Sequence, residues 1–260
     1  MRSIAAASAD CAAAFILRGA RSQAFFSRHA SLRGRRRFSA EDAAAPRPLP
    51  PPPPGDSEDS ACARADALAG LPPGVASAAR ALTQRLADVG APCAVIGAVA
   101  CNAYGHRRAT QDVDVLVNAR DADAVRAALV GRGWAPRFPG ARKMLRDKVH
   151  AVDVDVLHSG SFPGDGLPKP VAFPELSPRS DDVSIIDGVR FITLPKLIEL
   201  KLASGTSAPS RAKDLADVYA LVAANALPRG YAVELDVSVR AAYCKIWDEW
   251  HASRVSGLDP

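Results

Sequence analysis

The chain has 260 residues, 48% of them hydrophobic and 23% charged, a composition suited to one globular domain with extensions and one that excludes a wholly disordered protein. Its formal charge of +5 invites a nucleic-acid or membrane-surface reading, but eight arginines against one acid, Asp10, give residues 1–40 a charge of +7 and leave residues 41–260 at −2. Net charge is therefore excluded as an argument for a nucleic-acid-binding domain, and any such contact has to come from local cations such as Arg107, Arg108, Arg142, Lys143 or Arg146.

The first forty residues are rich in Ala, Ser and Arg, poor in acids, and carry Ile4, Phe15, Ile16, Leu17, Phe25 and Phe26 among the arginines. This is the composition of an organelle transit peptide. Arg36-Arg37-Phe38-Ser39 resembles a mitochondrial processing site, so residues 1–38 are expected to be a mitochondrial presequence cut after Phe38. A plastid address, or a basic tail on a cytoplasmic protein, is the alternative. No run approaches the roughly 18–20 apolar residues of a membrane span, and no stable membrane insertion is expected. Pro46 to Pro54 holds seven prolines in nine residues, so residues 39–72 read as an extended, partly polyproline linker. The five cysteines show no paired spacing, which signals neither a zinc site nor a disulfide framework.

From Val75 to Val89 apolar residues recur at helical spacing and Gly90 follows as a stop. Cys93-Ala-Val-Ile reads as a short strand ending at Gly97-Ala98, and the small residues through Ala103 as a tightly packed helix ending near Gly105. Asp112-Val-Asp-Val-Leu-Val is a strand, and Asp121 to Gly131 a helix with Asp121 as its cap. Trp134–Phe138 and Lys143–His150 are expected to form a hairpin around Pro139-Gly140, and Val152 to Leu157 another strand with period two. Residues 158–182 hold five prolines and three glycines and read as a loop, either a lid or packing across the sheet. Asp187-Gly188 marks a second hairpin between Val183–Asp187 and Val189–Thr193. Helices are expected over Leu194–Ser204, Pro209–Asn225 and Val233 to about Ala252. The order implies an α+β (α/β-like) fold: a core over residues 73–194 with a mixed sheet and flanking helices, then a C-terminal helical subdomain over 195–253.

Asp112 and Asp114 stand two apart on a strand, so both carboxylates leave one face while Val113 and Val115 leave the other. Asp153 and Asp155 repeat the pattern. Two acidic strand faces side by side repel each other unless cations lie between them. Mg²⁺, a hard ion satisfied by one or two carboxylates together with water and phosphate oxygens, suits such a site. Two such ions roughly 3.5–4 Å apart serve in-line phosphoryl or nucleotidyl displacement. The turn at Gly97-Ala98 offers backbone N–H groups to an anion.

In order and spacing, the run from Val95 through Gly97-Ala98, Arg108-Ala-Thr110 and Asp112-Val-Asp114 to Val117 resembles the signature of the polymerase-β-like nucleotidyltransferase superfamily. Val154-Asp155-Val-Leu, the stretch Ser159–Pro170, Leu194–Gly205 and Arg211–Val218 look like the minimal nucleotidyltransferases grouped with AbiEii-type abortive-infection toxins. The resemblance covers residues 74–250. It implies a nucleotidyltransferase fold in which Asp112 and Asp114 ligate Mg²⁺ and Asp155 is a third metal-site acid that activates the acceptor hydroxyl, leaving Asp153 outside the acid set. Where relatives carry Gly-Gly or Gly-Ser, this chain has Ala98.

Gly97, Ala98, Arg108, Thr110, Lys201, Arg211 and Lys213 are the candidate nucleotide-binding residues, since a transferring nucleotide needs cations against its phosphates. Lys213 and Asp217, four apart, offer the competing possibility of a simple helical ion pair. His106 reads as a solvated turn residue. The leading expectation is a Mg²⁺-dependent transfer of a nucleoside monophosphate from an NTP to a hydroxyl of RNA, protein or a small molecule. The alternatives are a non-catalytic nucleotide- or partner-binding module of the same fold, motivated by Ala98, and a sugar-nucleotide glycosyltransferase using Asp-x-Asp.

Overall fold

The computed structural model describes Leu68 and residues 70–255; the expected presequence and nearly all of the expected linker lie outside the described residues. Helix α1 (Pro73–Asp88) starts with proline in its first turn and buries Val75, Ala78, Ala79, Leu82 and Leu86, the single stripe its periodicity demands. Strand β1 (Cys93–Ile96) is wholly buried and runs straight into α2 (Gly97–Ala103). Strand β2 (Asp112–Val117) follows.

A 3₁₀ turn at Ala119–Asp121 precedes α3 (Ala122–Leu129), which carries no side-chain cap. The Asp121 carboxylate, expected to cap this helix, accepts a bond from Asn118 Nδ2 instead (3.1 Å). Strands β3 (Trp134–Pro136) and β4 (Met144–Asp147) form the expected antiparallel hairpin, and β5 (Val152–His158) pairs antiparallel with β4. Strands β6 (Val183–Ile186) and β7 (Val189–Ile192) turn through Asp187 and Gly188, both at positive φ, as a two-residue hairpin requires. Then come α4 (Leu194–Gly205), a 3₁₀ turn at Pro209–Arg211, α5 (Ala212–Ala224), a second 3₁₀ turn at Arg229–Glu234, and α6 (Arg240–Val255).

The last helix starts later than its periodicity suggests. Asp236 Oδ1 accepts both the backbone N–H (2.9 Å) and the hydroxyl (2.5 Å) of Ser238, a local turn that competes with helical bonding. Glu199 Oε1 takes the Asp236 N–H at 2.7 Å and ties the break to α4.

The seven strands form one mixed sheet in the order β3-β4-β5-β2-β1-β7-β6. The pairs β2–β5 and β1–β7 are parallel and the others antiparallel. With α1 packed against β1, β2 and β7 and helices alone after β7, this is the α+β arrangement expected. No helix among the described residues is long and apolar enough to cross a membrane. The parallel register between β2 and β5 sets Asp112 opposite Asp153 and Asp114 opposite Asp155, so all four carboxylates share one face of the central strands.

Candidate active site

The four acids differ in their partners. Asp153 is held by Arg146 Nη1 at 2.9 Å and Arg137 Nη2 at 3.3 Å, which neutralises it. Asp112 is exposed and its Oδ1 accepts the Thr110 hydroxyl at 2.5 Å. Asp114 and Asp155 are half-buried. Burial, followed by the charges of Asp112 and Asp155, pushes the Asp114 carboxyl up to about 6. Burial and then the charge of Asp112 raise Asp155 as well, against the opposing pull of Arg137. Asp155 Oδ1 is buried with no hydrogen-bond partner, an arrangement that costs free energy unless something else satisfies the oxygen.

Gly97 explains how Asp114 reaches this position. Its φ is +66°, and a Cβ there would run into Asp114 Oδ2. Only glycine combines that backbone conformation with so close an approach. The turn therefore sets the carboxylate as much as it opens α2, which at seven residues is a short helix.

Three repelling carboxylates and one partnerless buried oxygen make an all-oxygen donor set that suits Mg²⁺. Among the described residues no three His, Cys, Asp or Glu side chains already converge as a metal cage.

Beside Asp114 lies a half-open cleft of about 220 Å³. Its lining combines Asp114, Lys201, Ser204, Arg211 and Asp214 with Leu157, Phe162, Phe173, Leu197 and Leu200. Of the expected nucleotide-binding residues, Gly97, Lys201 and Arg211 line this cleft, whereas Ala98, Arg108, Thr110 and Lys213 do not. Ala98 is buried in the interior, where its carbonyl accepts a bond from Asn102 Nδ2; its methyl does not face the cleft. Thr110 bonds Asp112, which makes it an orienting group for the acid. Lys213 is exposed, but its charge, after that of Lys201, lowers the Asp114 carboxyl against the effects of burial and repulsion.

The possible Lys213–Asp217 pair gives way to a different network. Asp217 points inward from α5 and is buried. It accepts from Lys201 Nζ at 2.6 Å and from Arg108 Nη2 at 3.2 Å, and stands 3.3 Å from His106 Nε2. His106 is thus a member of a buried cluster rather than a solvated turn residue. Asp214 takes Lys201 Nζ at 2.7 Å, the Ser204 hydroxyl at 2.6 Å and Arg211 Nε at 3.1 Å. Burial would lower the Lys201 ammonium, but nearby Cys101, Asp214 and Asp217 outweigh it and hold the pKa above its ordinary value. Asp214 and Asp217 were visible in sequence as acids three apart on one helix face beside cations; their partner thirteen and sixteen residues upstream was not.

Residues 158–182 form a fastened wall. Asn118, fully buried, donates to Leu176 O at 3.0 Å and accepts from Leu176 N at 2.7 Å. Gly164, at φ +81°, has no room for a Cβ against the Ser204 backbone, and Lys169 clasps Pro163 O at 2.6 Å and the Asp165 carboxylate. Phe162, Pro163 and Gly164 face the cleft from this wall.

No protein-family model matches the chain, and no curated protein matches it. Among solved structures it is similar to ANT(2″)-Ia in complex with adenylyl-2″-tobramycin, at 13% identity over 64% of this chain and 94% of that one, with a TM-score of 0.42. It is similar to the antibiotic-resistance factor ANT(2″)-Ia in solution at 12% identity, over 75% and 98% of the two chains, TM-score 0.41. An H. pylori protein described as a nucleotidyltransferase aligns at 14% identity over 78% of this chain and 99% of its own, TM-score 0.37. Similarity of this degree leaves the chemistry to be read from the site itself.

Proposed function

We propose that the chain is a Mg²⁺-dependent nucleotidyltransferase that moves a nucleoside monophosphate from an NTP to an acceptor hydroxyl. The observation that carries the reading is the in-register pairing of Asp112 and Asp114 with β5, which puts three carboxylates without a basic side-chain partner on one face beside the cleft. Asp112 and Asp114 would hold Mg²⁺, with Asp155 contributing its partnerless oxygen. The ion supplies charge neutralisation on the phosphates and on the departing pyrophosphate.

The remaining steps belong to the chain's own residues. Lys201 and Arg211 line the cleft and would face the triphosphate. Asp155, whose carboxyl burial and the charge of Asp112 make more basic than an ordinary carboxylate, takes the proton of the acceptor hydroxyl. That oxygen forms a bond to the α-phosphorus while the bond from phosphorus to the α,β-bridging oxygen breaks, and pyrophosphate leaves with the electron pair. The wall at residues 158–182 limits water at the reacting phosphorus. The motifs at 194–205 and 211–218 are the reason to place the chain with the AbiEii-type group, and the Arg-rich leader is the reason to place it in mitochondria.

The test is incubation with each α-labelled NTP, Mg²⁺ and a mixture of RNA and protein. Label transferred by the wild type and lost in Asp155→Asn is the expected result. Nucleotide binding that never yields transfer points to the non-catalytic module instead.

A further inference from the structure

Outside the nucleotide cleft, the β3–β4 hairpin carries charge that the mechanism does not use. Residues 131–150 hold six cations, Arg132, Arg137, Arg142, Lys143, Arg146 and Lys148, against one acid, Asp147. That local charge of +5 sits within residues 41–260, whose total is −2. Asp147 is buried and bound to His150 Nδ1 at 2.8 Å, so it does little to screen the surface. Arg137 and Arg146 share the Asp153 carboxylate, and the pair between Arg142 and Asp123 is 75% and 89% exposed, a weak contact in water. Among the described residues no carboxylate pairs with Arg132, Lys143 or Lys148. At the hairpin tip, Phe138 is 52% exposed.

The location matters as much as the charge. Strand β4 lies against β5 with Arg146 opposite Asp153 and Met144 opposite Asp155, so the hairpin extends the acid face beyond the third carboxylate. The nucleotide cleft lies on the other side, lined by Gly97, Asp114, α4 and α5 and by none of the hairpin residues. In-line displacement brings the acceptor in opposite the leaving pyrophosphate; with the triphosphate at Lys201 and Arg211, that side is β5 and β4.

Cations spaced along a ribbon with a solvent-facing aromatic at its end suit a single strand of nucleic acid, whose phosphates need neutralising and whose unpaired bases stack on aromatic rings. A duplex would leave Phe138 without a base. We propose that the β3–β4 hairpin binds single-stranded nucleic acid and thereby delivers its terminal hydroxyl to Asp155. The delivery rests on the nucleotidyl-transfer reading; the binding does not.

The test is fluorescence anisotropy of the full chain with a labelled oligonucleotide of about twelve residues, within the span that single-strand binding folds cover, as RNA, DNA and duplex. The Arg142→Glu/Lys143→Glu variant is expected to bind single strands at least tenfold more weakly, with the log–log salt slope smaller by about 1.4 for two lost phosphate contacts. Phe138→Ala is expected to weaken binding by about five- to a hundredfold from lost stacking, with the slope unchanged. Calorimetric Mg²⁺·NTP binding should be the same in all three proteins, which separates a surface effect from misfolding or an impaired cleft. Variants that bind single strands as tightly as wild type, or a wild type that prefers duplex or binds none at low salt, would overturn the proposal. Intact oligonucleotide binding with no transfer to its end would overturn delivery alone.

Discussion

Asp114→Asn isolates the electrostatic cost of the acid cluster. In the folded, metal-free protein the Asp114 carboxyl titrates at about 6, against 3.8 for the unperturbed group. Each pKa unit is 1.36 kcal/mol, so ionised Asp114 costs the fold about 3 kcal/mol. The sign follows from proton uptake. Between those two pKa values the folded state holds a proton that the unfolded chain has released, so stability is greatest below about 4, falls as pH rises through 6, and stays low above it. Asparagine keeps the size of the side chain and removes the charge. In urea unfolding followed by circular dichroism with EDTA, Asp114→Asn should be about 2–3 kcal/mol more stable than wild type at pH 7.5 and indistinguishable from it near pH 4. Millimolar Mg²⁺ should stabilise the wild type and leave the variant unchanged, and the variant should transfer no nucleotide. A variant no more stable than wild type at pH 7.5, or one that Mg²⁺ stabilises equally, would refute the reasoning.

Three further perturbations probe the site's supports. Gly97→Ala introduces a Cβ into Asp114 Oδ2 at a positive φ, and should cost about 1–3 kcal/mol while lowering kcat/KM at least a hundredfold; denaturation and steady-state kinetics together check it. Asp217→Asn weakens the buried charge that holds Lys201 and Arg108, with an expected loss of about 3 kcal/mol measured by urea titration. Asn118→Ala removes both bonds to Leu176, and should cost about 1–3 kcal/mol and raise the rate of limited proteolysis within residues 158–182.

Much of this architecture was legible because its signals are local. The stripe of Val75, Leu82 and Leu86, the alternation of Asp112 to Leu116, and the Asp187-Gly188 turn each specify an element through nearest-neighbour sterics and periodicity. Asp112, Asp114, Asp153 and Asp155 were legible as two acidic strand faces because period two puts each strand's acids on one side; setting Asp153 apart came from the resemblance. What spacing does not contain is which strand lies beside which and in what phase: had β2 and β5 paired one residue out of register, Asp155 would face away from Asp114. The misplaced groups share that cause. Arg108 was assigned by proximity in sequence to Asp112 and His106 was read as a solvated turn residue, but their partner Asp217 comes from a helix more than a hundred residues later. Lys213 was set against Asp217 by helical spacing, while burial turned Asp217 toward Lys201. The late start of α6 follows from a competition between one Asx turn and helical bonding, which propensity alone does not decide.

The central claim is that Asp112, Asp114 and Asp155 form one metal-dependent transfer site beside the Gly97 turn. The most direct measurement is the transfer of label from α-labelled NTPs to the acceptor mixture by wild type, Asp112→Asn and Asp155→Asn, with Mg²⁺ and with EDTA. Mg²⁺-dependent incorporation by wild type is expected, reduced at least a hundredfold in each variant while each remains folded. Incorporation that persists in EDTA, or in either variant at the wild-type rate, would contradict it.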